Sequence, residues 1–477
     1  MESSLYYFKW FQKIISVFID IFFFVAPLAS LYVLTNAFQG AIRIVLYIVL
    51  ISAYLAVIYF FRDKIKTVLF SVQNYLDRFD TKKMCIIILV FALIVKVLFT
   101  ILFNYDATVE GDVQIYNDIA DHIIETGDIH SDAISHLYGV ALHFVVFKLL
   151  GLPLHVGIFI VFMIGTMINF FSFKELIGKN KAFMAVMFYL VMPSTILLTF
   201  CPTHELFIYL YISLFLFVYN RLIKSEEIKK IVLYSVLVVL SLVLACFVNP
   251  GGYIAYIIIL LTALLSNVKW SKKAIIIACL LVSILCSNAL SSYLNVNEYS
   301  TTINTYTILI HGTNAESLGE QVDGYPLKQM RKFIYENTLD FSQEGFVYAA
   351  KNVFMNQCLY LLKHPVTLVR LIAHKIYILW SGVHYPIELA QHYNALGSIV
   401  YYLFLAISTI IYLFVFTLGN VYYHKKENDD ICVSNYKLEV LGVIALTMMC
   451  ILANKYGIYI TLFIYFTAFY RTEFKKE

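Results

Sequence analysis

Between Val97 and Phe147 the chain carries eight carboxylates, Asp106, Glu110, Asp112, Asp118, Asp121, Glu125, Asp128 and Asp132, and no Lys or Arg. A carboxylate with no cation beside it keeps its basicity, so this stretch is where proton abstraction from a hydroxyl is expected. Asp112 is the first candidate for that base, with Asp106 and Glu110 as alternates. The same Asp112 follows Gly111 at the start of a helical pattern, GDVQIYNDIADHIIETGD, where an Asp also serves as a cap. Farther along, His130, Asp132 and His136 have a spacing compatible with metal ligation, though solvated loop histidines give the same pattern. Oxygen ligands from this loop would select a hard cation such as Mg or Mn. A second acid, Glu205, stands beside His204 just after Pro202, where an apolar run begins. An ionisable group at such a depth is either functional or reaching back to the interface.

The elements that must position these groups follow from composition. Of 477 residues, 61% are hydrophobic and only 14% charged, and the mean hydropathy is +0.78. A soluble domain carries about 25% charged residues, so the solvent for most of this chain is lipid. The net charge of +4 is spread thinly, which excludes a basic surface for nucleic acid. Cys85, Cys246, Cys279, Cys286 and Cys450 lie in apolar runs and form no CxxC pair.

Twelve apolar runs of helical length are expected to span the membrane, near 14–36, 41–61, 83–103, 154–173, 182–199, 203–221, 230–249, 251–267, 274–292, 396–419, 437–453 and 456–471. Basic residues bracket alternate ends, which places both termini in the cytoplasm, the first run being a retained signal anchor. Arg43, at the outer end of the second run, breaks the pattern. Residues 137–150 and 366–383 keep it only if they lie at the outer interface without crossing. The segments Asn104–His136 and Val296–Pro365 then both face outside, the second long enough to fold as a small unit. In the first, Ile115, Ile119, His122 and Ile123 are expected to line the packed side of a helix that Gly127 ends, with Asp118, Asp121 and Glu125 on the wet side.

In this order the motifs resemble the GT-C superfamily of integral-membrane glycosyltransferases, in the branch of protein O-mannosyltransferases and aminoarabinose transferases. Asp112, Tyr116 and Ala120 match its Asp-x-x-x-Tyr-x-x-x-Ala helix; Pro193, Ser194 and Glu205 match its Pro-Ser pair and following acid. ILIHGTNAESLGEQVDGY and KHPVTLVRLIAHKIYILW are similar to its glycine-rich and His-Pro elements, and Lys455–Tyr456 to its late Arg-Tyr pair. The Tyr-Pro or Pro-Pro pair usual before HLYGVALHFVVFKLLG is missing, and Asn249–Pro250 stands where relatives have Arg-Pro. The resemblance begins at about Lys83. It implies an all-α polytopic fold of about 12 spans with outer juxtamembrane helices. Residues 1–82 are then a two-helix addition, 83–292 a catalytic core whose first outer loop is 104–136, 293–395 an outer segment, and 396–477 the last spans.

The implied reaction moves a sugar from a polyprenyl-phosphate carrier to a hydroxyl of a glycan, glycolipid or protein. It needs a base, Asp112 before its alternates, and groups that hold the phosphate, often with a divalent metal, with Glu205 a further candidate for catalysis or binding. Lys455 leads the phosphate candidates, followed by Arg370, Lys375 and His311, with Asn249 able to donate a hydrogen bond but no charge. Tyr116, His204 and Tyr456 complete the expected binding set. Transporters and flippases share the apolar composition but place charges near the midplane in repeated halves. Polysaccharide polymerases carry arginines in their outer loops, which the first loop here lacks.

Overall fold

A computed structural model describes residues 2–35, 39–103, 112–129, 135–192, 204–266, 268–294, 298–320, 322–339, 341–381, 394–421, 430–449 and 461–472, with Thr195 and Thr199. Their regular structure is helical, without a strand. In lipid a helix satisfies every backbone group within its own segment, so the composition and the fold class agree. Six helices among the described residues are long and apolar enough to cross a membrane.

The chain opens with α1 (Glu2–Leu34), α2 (Gly40–Leu76) and α3 (Thr81–Phe103), then a short pair, α4 (Asp112–Thr126) and α5 (Ser135–Leu149). Its middle forms α6 (Leu154–Ile177), α7 (Lys179–Val191), α8 (His204–Lys224) and α9 (Ile228–Val248). A 3-10 turn at Pro250–Gly252 leads into α10 (Tyr253–Leu265) and α11 (Trp270–Tyr293). Four helices, α12 (Glu298–Gly312), α13 (Tyr325–Glu336), α14 (Gln343–Lys363) and α15 (Pro365–Ser381), precede α16 (Asn394–Val421), α17 (Ile431–Met449) and α18 (Thr461–Arg471).

Polar side chains tie one end of the bundle together. Lys179 donates to the carbonyls of Asp77 and Phe79, and Asn180 to the Asp77 carboxylate. Arg221 pairs with Glu175, Lys269 with Glu226, and Lys224 with Asp430. Lys181 donates to the Thr472 carbonyl, Lys272 to that of Ile223, and Gln12 to the Ser434 hydroxyl. Exposed pairs of this kind contribute roughly 0–1 kcal/mol each, so their value here is geometric. They bring the basic segments of the sequence to one common end.

With that end fixed, the remaining order follows. α3 leaves the basic end and α6 returns to it, so α4 and α5 both lie at the opposite end. Likewise α11 leaves the basic end and α16 returns, its Leu418 carbonyl accepting from Thr472. The helices between them, α12–α15, therefore form a second layer at the far end. Ile310, Met330, Ile334, Ala349, Ala350 and Val353 give it a hydrophobic core of its own.

Four expectations change. α2 does not stop near residue 61: it runs 37 residues from Gly40 to Leu76, so the stretch after 61 is helix too, latched to the α6–α7 turn through Asn180. The run at 182–199 yields a helix only to Val191, and the run at 251–267 one of 13 residues that begins after a 3-10 turn. α17 starts at Ile431, six residues before the expected boundary, so Lys437 and Glu439 stand inside the helix and are buried. α1 packs into the bundle. Phe22 and Phe23 pack edge to face with Phe416, Gly419 leaves room for the Phe23 ring, and Arg471 pairs with Asp20 at 2.6 Å. Arg43 stays at the end opposite the other basic residues, where its guanidinium lies 4.1 Å from the Tyr32 ring and its Nε bonds Thr35 in the α1–α2 corner.

Candidate active site at the end opposite the basic residues

The α4–α5 pair is held by small residues and aromatic rings. Gly127 at φ +70° ends α4, as its sequence position predicts, and its amide bonds the Ile123 carbonyl. The packed face of α4 is Val113, Tyr116, Ala120 and Ile123, while Ile115 and His122 point outward. Ile119 and Ile123 pack as expected and Ile115 and His122 do not: the buried stripe runs i, i+3, i+7, i+10 from Val113, and Tyr116 and Ala120 belong to it. Tyr116 is fully buried with its ring edge-on to Phe144 of α5. Two of the three motif residues thus fix α4 to α5, and the third, Asp112, is the first residue of the helix. Asp118 and Glu125 are exposed as expected, whereas Asp121 pairs with Lys148.

α5 is in turn pressed onto its neighbours. A Cβ on Gly139 would come within 2.6 Å of the Phe247 carbonyl oxygen of α9, and one on Gly157 within 2.6 Å of the Phe147 ring. From this support His143 reaches α8. Its Nδ1 lies 2.7 Å from the Gly139 carbonyl, an acceptor, so that nitrogen carries the proton. Nε2 is left to accept from the Tyr211 hydroxyl, and the ring lies 4.5 Å from that of Phe207.

α8 brings the second acid. Glu205 is wholly buried in its first turn, with Oε1 3.0 Å from His204 Nε2. The open amides of a helix N-terminus favour a carboxylate there, which offsets part of the cost of burying it. Just before α8, the Thr199 carbonyl accepts from Lys96 at 2.6 Å, a buried ammonium on α3. Glu205 and His204 thus open α8, His143 of α5 meets Tyr211 farther along it, and Lys96 of α3 holds the segment just before it. Sequence reasoning missed Lys96, His143 and Tyr211. Lys96 carried a usable signal, a charge inside an apolar run; His143 and Tyr211 look like ordinary interface residues until the fold pairs them.

Other expected site residues take structural positions. Asn249 is buried at the end of α9, and its Oδ1 accepts from the Gly251 amide at 2.6 Å, shaping the turn into α10. Gly252 is required in that turn because a Cβ would lie 2.6 Å from Ala245 and Cys246 backbone atoms. His311, Lys375 and Arg370 belong to the α12–α15 layer. His311 Nδ1 accepts from the Val322 amide at 3.5 Å; burial holds its imidazole below the ordinary range, and Asp323 opposes the shift. Lys375 is buried with its stem against Gly319, and Arg370 is exposed five positions earlier on α15. His374 meets Glu320 at 3.0 Å, pinning the same loop. Lys375 and His374 hold the layer to its own loop at Gly319 and Glu320, and His311 holds the same loop at Val322.

Asp106, Glu110, His130, Asp132, Lys455 and Tyr456 lie outside the described residues, as do the side chains of Asp112 and His136. Among the described residues no three His, Cys, Asp or Glu side chains converge as metal ligands. No family model, curated protein or solved structure matches the chain.

Proposed function

We propose that this chain is an inverting glycosyltransferase of the GT-C kind, which moves a sugar from a polyprenyl-phosphate carrier to an acceptor hydroxyl. The acceptor is a cell-surface glycan, a glycolipid or a protein, and the reaction takes place at the outer face of a bacterial cell membrane. The observation that carries the reading is the fully buried Glu205 at the start of α8, beside a hairpin whose first helix begins at Asp112. Two carboxylates on separate rigid elements at one end of the bundle are what acceptor activation at a membrane surface needs. The common basic end supports the orientation, since short loops rich in Lys and Arg stay cytoplasmic. The alternation of helices between the ends supports about 12 spans.

In this mechanism Asp112 takes the acceptor proton as the acceptor oxygen bonds to the anomeric carbon. The bond from that carbon to the phosphate oxygen breaks on the opposite side, and polyprenyl phosphate leaves. Glu205, oriented by His204, lies deeper and favours positive charge developing on the sugar ring. Lys455 and Tyr456 hold the phosphate, and a Mg or Mn ion would add charge there when bound.

The test is release of polyprenyl phosphate by purified protein given a polyprenyl-phosphate sugar and candidate acceptors. Loss of release in both Asp112→Asn and Glu205→Gln is expected. Full activity in Asp112→Asn would remove it as the base. A transporter is the second reading, and one observation favours it: Glu439, fully buried inside α17, has both carboxylate oxygens without a hydrogen-bond partner among the described residues.

A further inference from the structure

The α12–α15 layer contains a cleft of about 400 Å³, between the loop after α12 and one side of α13 and α14. That volume is within the range of small-ligand sites, roughly 300–1,000 Å³. Its chemistry is narrow. Side-chain amides supply much of the polar wall, from Asn314, Gln329, Asn356 and Gln357. Tyr325, Phe333 and Tyr360 supply ring faces and edges. We infer that this cleft binds a neutral saccharide, recognised by its hydroxyls and by the apolar face of a sugar ring.

Three features carry the inference. The amides are set in advance: Gln357 accepts from Thr313 at 2.7 Å and donates to the Tyr325 oxygen at 3.0 Å, which leaves the Tyr325 proton for another acceptor. Asn314 is only 3% exposed, and its Oδ1 is used by the Glu316 amide at 2.9 Å. Its Nδ2 group has no hydrogen-bond partner among the described residues, although the side chain lines the cleft. That group opens onto the cleft, where a ligand oxygen can accept from it. A sugar hydroxyl both donates and accepts, so it suits a wall of amides and phenols better than a fatty chain does.

Charge narrows the class further. Glu316 and Glu336 face the cleft against a single ammonium, Lys332, which stands 3.8 Å from Glu336. An anionic glycan or a phosphate would therefore be disfavoured. An extended peptide has no sheet edge to pair with in this all-helical layer. The binding claim stands without the transferase reading; only its meaning as an acceptor site rests on that reading.

The test uses full-length protein in phosphatidylcholine nanodiscs, because maltoside detergents carry sugars of their own. Maltotriose, cellotriose and mannotriose are titrated by saturation-transfer NMR and calorimetry, against trigalacturonate and tetraalanine. At least one neutral trisaccharide should bind, and Asn356→Ala and Tyr360→Ala, both at exposed positions, should each weaken it about tenfold. Failure of all three neutral sugars, stronger binding of trigalacturonate or tetraalanine, or unchanged affinity in both variants would overturn the proposal. Sugar transfer is not read in this assay, so a failed transferase experiment leaves its outcome standing.

Discussion

Gly139→Ala should damage the protein out of proportion to one methyl group. The added Cβ would lie 2.6 Å from the Phe247 carbonyl oxygen and 3.1 Å from that residue's carbonyl carbon and Cδ1. The oxygen belongs to the last turn of α9 and cannot swing aside as a side chain would. Restoring an ordinary contact requires α5 and α9 to separate by roughly 0.5–1 Å, and overpacking of this kind costs about 1–3 kcal/mol. His143 stands one turn farther along α5, and α4 leans on the same helix through Tyr116 and Phe144. The shift therefore reaches Asp112 and the α8 contact together, and a displacement of about 1 Å in a catalytic group can lower the rate on the order of 100-fold. Gly127→Ala is the control: φ there is +70° but nothing lies within 4 Å, so only backbone strain of about 1–2 kcal/mol is added. Melting temperature and polyprenyl phosphate release should both fall in Gly139→Ala, with release affected more than in Gly127→Ala. If Gly139→Ala melts with the wild type, or Gly127→Ala loses more activity, the α5–α9 contact does not set the position of these helices.

Acidification should loosen the α12–α15 layer. The His311 imidazole, held below its ordinary 6.5 by burial, accepts the Val322 amide, so the folded state resists a proton that the unfolded chain takes up. The layer is then at full stability above about pH 6.5 and loses it as pH falls through the depressed folded value. Hydrogen exchange across residues 306–325 at pH 7.5 and pH 5 reads this, and equal protection at both would count against it. Glu439→Leu should raise stability by about 1–3 kcal/mol, because a buried carboxylate without a partner is replaced by an apolar group; a lowered melting temperature would show that the acid has a partner. Lys148 and Asp121 are 29% and 50% exposed, so a double-mutant cycle on that pair should give under about 1 kcal/mol, and a coupling of several kcal/mol would mean the pair is far drier than its exposure implies.

How much of this was readable from sequence depends on which force decides each position. Charge decides the basic end, and charges are visible: Lys179, Arg221, Lys224 and Lys269 all meet partners at one common end of the bundle. Glycine decides the end of α4, and Gly127 could be read for the same reason. Packing direction is harder. Ile115 and Tyr116 are both apolar enough to be buried, and only the surface of α5 chooses Tyr116. Asn249 was legible as polar, but whether its amide faces a ligand or its own turn depends on the next two glycines, which shape the turn its side chain caps. The α17 boundary was lost because Lys437 looked like a loop residue, when its ammonium in fact lies 5.5 Å from the Tyr470 ring. An aromatic partner across the bundle makes a buried lysine tolerable, and no local pattern announces it.

The buried polar groups of the bundle bear on the choice between transferase and transporter. Most are satisfied between helices: Asn435 donates to Asn220 at 2.9 Å and accepts from Thr262 at 3.1 Å, Ser172 meets Tyr436 at 2.6 Å, and Asn169 donates to Ser213 at 2.7 Å. Contacts of this sort join membrane helices at an average of about 0.6 kcal/mol each and need no transport role. Glu439 differs, because it adds a titratable group one turn from Asn435 without sharing its bonds. A transport cycle needs such a group to meet water from both ends in turn. A transferase needs only that its acids meet the acceptor at one end. Glu205 satisfies the second condition by position, at the start of α8 and opposite the basic end, whereas Glu439 meets the first only if the helices around α17 part. The two acids therefore make different demands on the same bundle. Loss of function in Glu205→Gln with function retained in Glu439→Gln follows from the transferase reading, and the reverse pattern follows from transport.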